Sequence, residues 1–409
     1  MTERLYYRDS YLKEFEARVV SAERAAGGEA SVERWNVVLD RTAFYPTSGG
    51  QPHDLGTLGG ARVVEVIERE DGNIVHVTEG HVTDRRVGEG TVHGAIDWAR
   101  RFDHMQQHTG QHLLSAAFIE LYQLPTVSFH LGRDVCTIDL EAAALSAEQL
   151  EAAERRVNAI VFEDRPVTIR FASAEELARD GARKEVRREG TLRAIAIEGF
   201  DLQACGGTHV ARTGEIGTIL LRRAEKAKKN WRVEFVCGER ARAAARRDRE
   251  LLVESARQLG CGPAELPGMV ARAIEERQAS YRSRQRLLEE LVSVEALTML
   301  AFRSTQEREG RMRTLARVFE DADADYLRML ASKLIAEPGV RVLFASRAGG
   351  QLVFAQTPGL PGDLGAVLRE IVASAGGKGG GTKDFAQGSV PSGRGMDALI
   401  ENAREKLKE

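Results

Sequence analysis

The pattern of apolar and polar positions changes three times along the chain. Residues 1–95 hold short, β-branched runs separated by glycine-rich turns, at 17–20, 34–39, 63–67 and 74–77. Strands of this length and spacing predict a small β-barrel. The first domain, residues 1–95, is therefore expected to be all β.

Residues 96–237 mix helical and strand patterns, which predicts an α+β domain. Apolar residues recur at helical spacing within 98–122, and a second helix at 147–162 has Ser146 as its N-cap. Two alternating segments, 127–131 and 135–140, predict a hairpin that turns at Gly132. Further elements are expected as strands at 167–171, 192–197, 216–221 and 231–236 and as a short helix at 175–180.

Beyond residue 237 the pattern is helical and then mixed. Segments 240–259, 264–308 and 312–336 carry apolar residues three and four positions apart, which predicts a long helical hairpin over 238–337. Such a hairpin is a frequent dimerisation device, so a homodimer is expected. Residues 338–409 predict a C-terminal α/β domain, with strands at 340–346 and 352–356, a helix at 364–375 and a glycine-rich loop at 376–388. The fold class is thus α+β and multidomain.

Composition indicates the class of protein and the cellular compartment in which it is expected to work. The chain of 409 residues is too long for one core, and its 43% apolar and 29% charged residues are typical of soluble proteins. It holds no apolar run of the ~18 residues needed to span a bilayer and no apolar leader, so no membrane contact is expected. Four cysteines without a pairing pattern favour the reducing cytoplasm. The net charge is −3, so any nucleic-acid contact must come from local basic patches.

Two short motifs, almost a hundred residues apart, carry the residue types of a metal site. Residues four apart on a helix share one face, so His108 and His112 can direct two imidazoles to one point. Cys205 and His209 add a thiolate and a third imidazole from a glycine loop. This donor set suits one tetrahedral zinc ion per chain and disfavours magnesium and calcium.

Neither motif is specific alone. The metalloprotease pattern is excluded because Thr109, and not glutamate, follows His108. His104 lies one helical turn earlier, and it is either a third helix ligand, a residue that supports the ligands, or a surface histidine. The sequence leaves that choice open.

Four motifs together show a family resemblance. Residues 97–101 (D-W-A-R-R), His104-Met105 and 108–115 (H-T-G-Q-H-L-L-S) resemble the editing domain of alanyl-tRNA synthetases and, more closely, the freestanding alanyl-tRNA editing proteins of the AlaX family. The C-G-G-T-H run at 205–209 resembles the second metal motif of that family. Residues 42–52 resemble the glycine-rich motif of its barrel, and 376–388 resemble the C-terminal domain associated with DHH phosphoesterases. The motifs stand in the expected order across nearly the whole chain.

The resemblance implies an architecture and an activity. The barrel would be of the translation-factor type, residues 96–237 would be a zinc-containing editing domain, and residues 338–409 the DHH-associated domain. The implied reaction is hydrolysis of the ester that joins a wrong amino acid, serine or glycine, to alanine-specific tRNA. Gly49, Gly50 and Gln51 are implied to help hold the end of the substrate, in a family loop that packs against the editing cleft.

Other residues are candidates for the chemistry. The polar candidates for contacting the amino acid are Thr109, Gln111, Ser128 and His130; the last two share a strand face that is either solvated or lines the pocket. Backbone amides of Gly206, Gly207 and Thr208 are candidates to stabilise the oxyanion. Four protein ligands would close the coordination shell, whereas metal-activated water needs an open position. The sequence leaves open whether zinc activates water or only shapes the pocket, and whether serine or glycine is preferred.

Candidate tRNA contacts are basic residues in three places. These are Arg100 and Arg101 in the first motif, Lys226, Lys228 and Lys229 in a basic hairpin, and Lys378 and Lys383 in the glycine-rich loop. A solvated turn is the alternative for the hairpin. The loop lacks G-K-[ST], so ATP binding is not expected.

Three other classes of protein compete with a deacylase of alanine-specific tRNA. A complete alanyl-tRNA synthetase would need an aminoacylation core before the barrel, and none is expected in this sequence. A tRNA-binding module with structural zinc would carry the same ligands without catalysis. A deacylase of serine attached to threonine-specific tRNA would carry related H-x-x-x-H and C-x-x-x-H motifs.

Overall fold

The computed structural model describes residues 1–25, 33–82, 91–184, 190–301, 312–391 and 395–408. They form two compact units, Met1–Glu254 and Ser255–Glu409. The architecture is multidomain α+β with a six-stranded barrel, which confirms the predicted class at that level. None of the described helices has the length and apolarity that crossing a membrane demands.

The N-terminal part of the first unit is a closed barrel. Its strands follow the order β2-β3-β7-β6-β5-β8, while β1 and β4 form a short parallel pair beside it. The bounds are β1 Glu3–Arg4, β2 Glu14–Arg24, β3 Arg34–Leu39, β4 Arg41–Thr42, β5 Gly56–Leu58, β6 Ala61–Glu68, β7 Ile74–Glu79 and β8 Thr91–Ile96. Strand β2 is long enough to pair with β8 through its first half and with β3 through its second half, which closes the barrel.

The rest of the first unit is built around one long helix. The elements are α1 Trp98–Tyr122, β9 Thr126–Leu131, β10 Cys136–Leu140, α2 Ala147–Phe162, β11 Val167–Ala172, α3 Ala174–Arg179, β12 Leu192–Ile197, β13 Asp201–Ala204, β14 Ile219–Ala227 and β15 Asn230–Cys237. They form a sheet of order β14-β15-β10-β9 and a sheet of order β11-β12-β13. Leu113, Leu114 and Phe118 of α1 are fully buried in a core shared with Ile138 and Phe235 of the first sheet.

Residues near the helix ends and the turns identify several of these elements from the sequence. Asp97 caps α1 by accepting a hydrogen bond from the amide of Arg100. Ser146 caps α2 as predicted, and Gln149 completes a capping box with it. The hairpin of β9 and β10 is also confirmed.

The second unit contains a mixed sheet of order β16-β17-β18-β20-β19. Its elements are α5 Leu266–Ala301, β16 Arg313–Phe319, α6 Ala324–Leu334, β17 Val340–Ser346, β18 Gln351–Gln356, α7 Leu364–Ser374, β19 Lys378–Gly381, β20 Phe385–Ser389 and α8 Met396–Lys406, while α4 spans Gly238–Gln258. Helix α6 packs against β17 and β18, and its residues Leu327 and Leu330 are fully buried.

Two predictions for this region are wrong. Residues 312–336 are not one helix, because Arg313–Phe319 forms β16 and pairs in parallel with β17. The helix there begins only after its N-cap, Asp323. The glycine-rich segment is not an open loop either, because its residues form the β19–β20 edge hairpin. The predicted helix at 264–308 is observed to Ala301, and residues 302–308 lie outside the described part of the chain.

Candidate metal centre and cleft

Four side chains from two segments converge at one point of the first unit. His108 and His112 project from α1, and Cys205 and His209 lie in the loop that follows β13. Their ligand atoms all lie within 4.8 Å of one another. The Sγ atom of Cys205 is 3.5 Å from Nε2 of His108 and 3.3 Å from Nε2 of His209. The two motifs that the sequence singled out therefore do meet in space.

The rings of His108 and His112 are each oriented by a hydrogen bond at Nδ1, the nitrogen that does not face the cluster. Gln51 Oε1 lies 2.8 Å from Nδ1 of His108, and Asp201 Oδ2 lies 3.0 Å from Nδ1 of His112. Oxygen acceptors at Nδ1 place the ring proton there, because neutral imidazole carries one N–H. The Nε2 lone pairs of both rings are thereby left for a metal ion.

His209 is oriented in the same way through Thr109. The hydroxyl of Thr109 donates to the carbonyl oxygen of Met105 at 2.8 Å, so its oxygen acts as acceptor toward Nδ1 of His209 at 3.1 Å. The same oxygen also accepts from the amide of Val210. All three rings thus have one tautomer imposed on them by the protein.

The charges around the cluster favour a thiolate. Burial raises the pKa of the Cys205 thiol, but the imidazoles of His108 and His209 outweigh burial and lower it well below its usual range. Burial also lowers the pKa of His112, yet its hydrogen bonds to Asp201 and Cys205 raise it to about 9, so a metal ion that binds Nε2 of His112 displaces a proton from it. Arg183 forms an ion pair of 2.9 Å with the other oxygen of Asp201.

This donor set fits a metal ion by its chemistry. One thiolate and three imidazole nitrogens are the ligands that borderline transition metals prefer, and all four are anchored by further bonds. Gly207 is part of the fit, because a Cβ at this position would lie 2.2 Å from Cε1 of His108. The loop after β13 can approach the helix this closely only through glycine.

Three of the four side chains open onto a cavity of about 630 Å³. His108, His112 and Cys205 line it, and His209 does not. The ring of Phe129 lies beside that of His108, with 5.3 Å between ring centres. Other lining residues include Gly49, Gln111, Ser128, Glu141, Lys184 and Gly206. The cluster therefore forms one wall of a cleft large enough for a small organic group.

The predicted substrate residues fall into two groups. Gly49, Gln111 and Ser128 line the cavity, although the hydroxyl of Ser128 donates to Asp139 at 2.7 Å. Gly50, Gln51, Thr109 and His130 are absent from its described lining. Gln51 and Thr109 instead hold ligand histidines, and the exposed His130 lies on the opposite face of β9 from Phe129.

The three backbone amides predicted to stabilise an oxyanion differ in whether they already have a hydrogen-bond partner. The amide of Gly207 is directed at Sγ of Cys205 at 3.4 Å, and the amide of Thr208 donates to Gln51 at 3.2 Å. The amide of Gly206 has no hydrogen-bond partner within the described ranges, and Gly206 is exposed at the cavity. Only this third amide is both close to the cluster and uncommitted.

Similarity to known proteins agrees with this arrangement. The family described as "Threonyl and Alanyl tRNA synthetase second additional domain" matches residues 192–234, which include Cys205 and His209. Class II (A) tRNA synthetases match residues 1–100, the barrel region, and the DHHA1 domain matches residues 312–409. The alanyl-tRNA editing protein AlaX-L of Pyrococcus horikoshii is 32% identical over 100% of this chain and 99% of its own length.

The chain belongs to the alanyl-tRNA editing protein family. A second member, Aarsd1-B of Xenopus laevis, is 32% identical and covers 94% of this chain and 92% of its own length. The alanine–tRNA ligase of Pyrococcus furiosus is 33% identical over 100% of this chain, which spans only 43% of that ligase. The AlaX-type editing proteins are thus matched from end to end and the ligases only in part.

Some of the basic residues predicted for this editing protein occupy unexpected positions. Arg101 has no exposed surface, and it forms a buried ion pair with Asp54 and donates to the carbonyl oxygens of Ser10 and Ala43. It offers nothing to a phosphate, so its prediction as a tRNA contact is wrong. Arg100 is half-buried and donates to the carbonyl oxygen of His53. The predicted lysines Lys226, Lys228, Lys229, Lys378 and Lys383 are all exposed.

His104, left open by the sequence, is not a member of the metal-binding group. Its side chain is 3% exposed, and its Nδ1 atom has no hydrogen-bond partner in the described part of the chain. Burial and the nearby guanidinium groups of Arg100 and Arg240 lower the pKa of His104 to about 3. It is a buried neutral imidazole behind the site.

Sequence reasoning missed three residues that support the candidate metal site. Asp201 orients His112, Arg183 pairs with Asp201, and Arg193 donates to the carbonyl oxygen of Cys205 at 2.6 Å. Asp201 left a weak signal, since it is an acid four positions before Cys205 in a segment, 199–205, whose other side chains are uncharged. Arg183 and Arg193 left none, because neither lies within a metal motif.

Proposed function

We propose that this protein hydrolyses the ester bond of mischarged alanine-specific tRNA that carries serine or glycine, with one zinc ion at the four-residue cluster. The observation that carries the proposal is the cluster itself, whose histidines His108 and His112 and thiolate Cys205 face a cleft of about 630 Å³. The names of the full-length relatives supply the substrate. The reducing cytoplasm, where we place the reaction, suits four cysteines that are all free.

The proposed ligands are His108, His112, Cys205 and His209. A zinc ion bound there would supply Lewis acidity for the ester carbonyl and lower the pKa of a water molecule only if one of the four residues leaves its position on the ion, because four protein ligands close a tetrahedral site. The protein determines which side of the cluster is accessible, because His108, His112 and Cys205 line the cleft and His209 does not. The ester would approach from the side of His108, His112 and Cys205.

The cleft offers groups that would orient the aminoacyl end. Gln111 lines it, and its Nε2 atom donates to Ser115 at 2.8 Å, which turns Oε1 toward other donors. We assign Oε1 of Gln111 to the hydroxyl or the ammonium group of the amino acid. The amide of Gly206 would donate to the developing oxyanion, while Phe129 would exclude water from one side.

The tRNA body would contact the turn between β14 and β15. Trp231 pairs with Leu140 and Leu140 with Thr126, so this turn lies at the same end of the sheet as Thr126, which lines the cleft. Lys226, Lys228 and Lys229 are exposed there. Phosphate contacts of this kind position nucleic acid without reading its sequence. We assign Lys378 and Lys383 to a second contact, on the edge hairpin of the C-terminal unit.

We further propose that the protein is a homodimer through α5. This helix exposes apolar side chains at intervals of about one or two turns, namely Val270, Ile274, Tyr281, Leu287, Leu291 and Val294. An apolar stripe of that length on a helix normally packs against a partner. Sedimentation of the wild type and of Leu291→Lys tests this, and a wild type that sediments as a monomer at micromolar concentration would contradict it.

The deciding experiment is deacylation of alanine-specific tRNA charged separately with serine, glycine and alanine. We expect hydrolysis of the serine or glycine ester, little hydrolysis of the alanine ester, and loss of activity in Cys205→Ala. Cys261→Ala is the matched control, because Cys261 is a free thiol outside the cluster. Zinc content is measured on each variant.

Two outcomes would redirect the proposal. Binding of tRNA without hydrolysis by the zinc-loaded wild type would favour a non-catalytic binding module. Preferential hydrolysis of serine from threonine-specific tRNA would change the substrate, an arm worth including because the matching family also covers threonyl-tRNA synthetases.

A further inference from the structure

The C-terminal unit contains a second cavity, of about 730 Å³, with a strongly basic lining. Four of its lining side chains are cationic, namely Arg341, Arg404, Lys406 and Lys408. Within the described residues, no acidic side chain lines it. This cavity is formed entirely by residues 312–408 and shares no residue with the metal centre.

Arg341 is the unusual member, because it is only 1% exposed and forms no ion pair with any residue that the structure describes. Its guanidinium donates to Oε1 of Gln356 at 3.0 Å, to the carbonyl oxygen of Leu407 at 3.1 Å and to that of Pro361. All three acceptors are neutral. Burial lowers the pKa of Arg341, which reflects the cost of holding a cation away from water.

The guanidinium keeps capacity for a ligand. An arginine side chain has five N–H donors, and the hydrogen bonds of Arg341 to described residues use three of them. Gly362 lies against the group with φ at +94°, and a Cβ there would lie 3.3 Å from Nη2. Glycine thus satisfies the backbone conformation and leaves the guanidinium uncrowded on the cavity side.

The remaining cations add net positive charge. Arg404 pairs with Glu401 at 3.2 Å and Lys406 with Glu370 at 2.7 Å, but these pairs are exposed and weak. Lys408 has no ion-pair partner among the described residues. The cavity therefore combines one buried cation with three exposed cations.

We propose that this cavity binds a phosphate-class oxyanion, with Arg341 at its floor and Lys408 at its edge. The two N–H groups of this guanidinium that bond to no described residue match the geometry of phosphate oxygens, and charge-assisted bonds of this type are the strong ones. A backbone phosphate of nucleic acid and a free phosphate compound present the same group. The experiment separates these two sources.

The probe is inorganic phosphate, titrated calorimetrically into the full-length protein at constant ionic strength. The variants are Arg341→Gln and Lys408→Glu, with Arg369→Glu as the control because Arg369 is exposed on α7 and does not line the cavity. We expect saturable binding by the wild type, at least tenfold weaker binding by Arg341→Gln, about fivefold weaker binding by Lys408→Glu, and wild-type binding by Arg369→Glu. Circular dichroism verifies folding, and Lys408→Glu decides the test if Arg341→Gln does not fold.

The variant Cys205→Ala separates this inference from the metal centre. It should bind phosphate like the wild type, because the cavity lies in the other unit. Displacement of phosphate by tRNA would identify a nucleic-acid phosphate as the ligand, and persistence of binding would identify a small phosphate compound. Either result supports the site. Absence of saturable binding by the wild type, or equal affinity in Lys408→Glu, would overturn it.

Discussion

Gln51 of the N-terminal barrel region accepts a hydrogen bond from Nδ1 of His108 on α1 at 2.8 Å. The same amide oxygen accepts from the backbone N–H of Thr208, and its nitrogen donates to the hydroxyl of Thr208 at 2.9 Å. One fully buried side chain thus links the two motifs that supply the metal ligands. The barrel region thus supports the candidate metal site although it contributes no candidate ligand.

Replacing Gln51 should therefore weaken metal binding. Gln51→Ala removes the acceptor that fixes the His108 ring, and we expect zinc affinity to fall about 10- to 100-fold, the usual cost of losing such a supporting partner. Competition with a chromophoric chelator measures this. Gln51→Glu keeps an oxygen acceptor for His108 and should retain more affinity than Gln51→Ala. Equal affinity in the alanine variant and the wild type would remove Gln51 from the site.

Two neighbouring glycines provide a steric test of the loop. Gly207→Ala places a methyl group 2.2 Å from Cε1 of His108, so the ring or the loop must move and zinc affinity should fall at least tenfold. In Gly206→Ala the nearest atom, the hydroxyl oxygen of Tyr7, lies at an ordinary 3.4 Å, and zinc affinity should be kept. The two affinities, measured side by side, separate a close approach from a general effect of alanine in this loop.

The buried pair of Arg101 and Asp54 predicts a large effect on stability. Arg101→Met leaves the carboxylate of Asp54 buried without its partner, and we expect a loss of about 3–5 kcal/mol in the free energy of unfolding. Urea denaturation, followed by a spectroscopic signal of the first unit, measures this change in the free energy of unfolding. The double variant Arg101→Met with Asp54→Leu should recover much of the loss. A single variant as stable as the wild type would show that the carboxylate finds another partner.

His76 predicts a pH dependence of barrel stability. It is fully buried between Thr42 at 2.8 Å and the carbonyl oxygen of Val37 at 3.1 Å, and burial lowers its pKa to about 4. The unfolded chain, with a pKa near 6.5, takes up the proton first as pH falls. The contribution of the neutral His76 ring to the free energy of unfolding is therefore complete above about pH 6.5 and is lost as the pH falls toward 4. The loss amounts to about 3 kcal/mol.

Denaturation of the wild type and of His76→Asn between pH 7 and pH 4 measures this contribution. The asparagine variant should be less stable at pH 7 and should show a shallower pH dependence across this window. Parallel curves for the two proteins would mean that other groups cause the acid sensitivity.

The ligand cluster could be predicted because its information is local. The spacing of His108 and His112 fixes one helical face, and the glycines beside Cys205 mark a loop that must approach something closely. The supporting residues depend on long-range packing instead. Asp201 reaches His112 from the strand Asp201–Ala204, which the sequence analysis did not predict. Nothing near Arg101 in the chain indicates that it will be buried in an ion pair with Asp54.

The same distinction explains the error at β16. Residues 312–336 carry apolar positions that satisfy a helical period, and only the parallel partner Val340–Ser346 makes the first part a strand. Short or glycine-bearing strands were missed for a related reason. Gly56–Leu58 has three residues, too few for a periodic signal, and it is a strand because β6 and β8 bind it on both sides.

The bond between Gln51 and His108 has a practical consequence for engineering. Residues 96–237 contain all four candidate ligands, so this segment could be chosen for transfer to another protein as a self-contained cassette. Transplanted alone, however, that cassette would lose the group that keeps the His108 ring from turning. A grafted version would need either the barrel or a new amide acceptor built into the host scaffold, and its zinc content would report at once whether the replacement had been well designed.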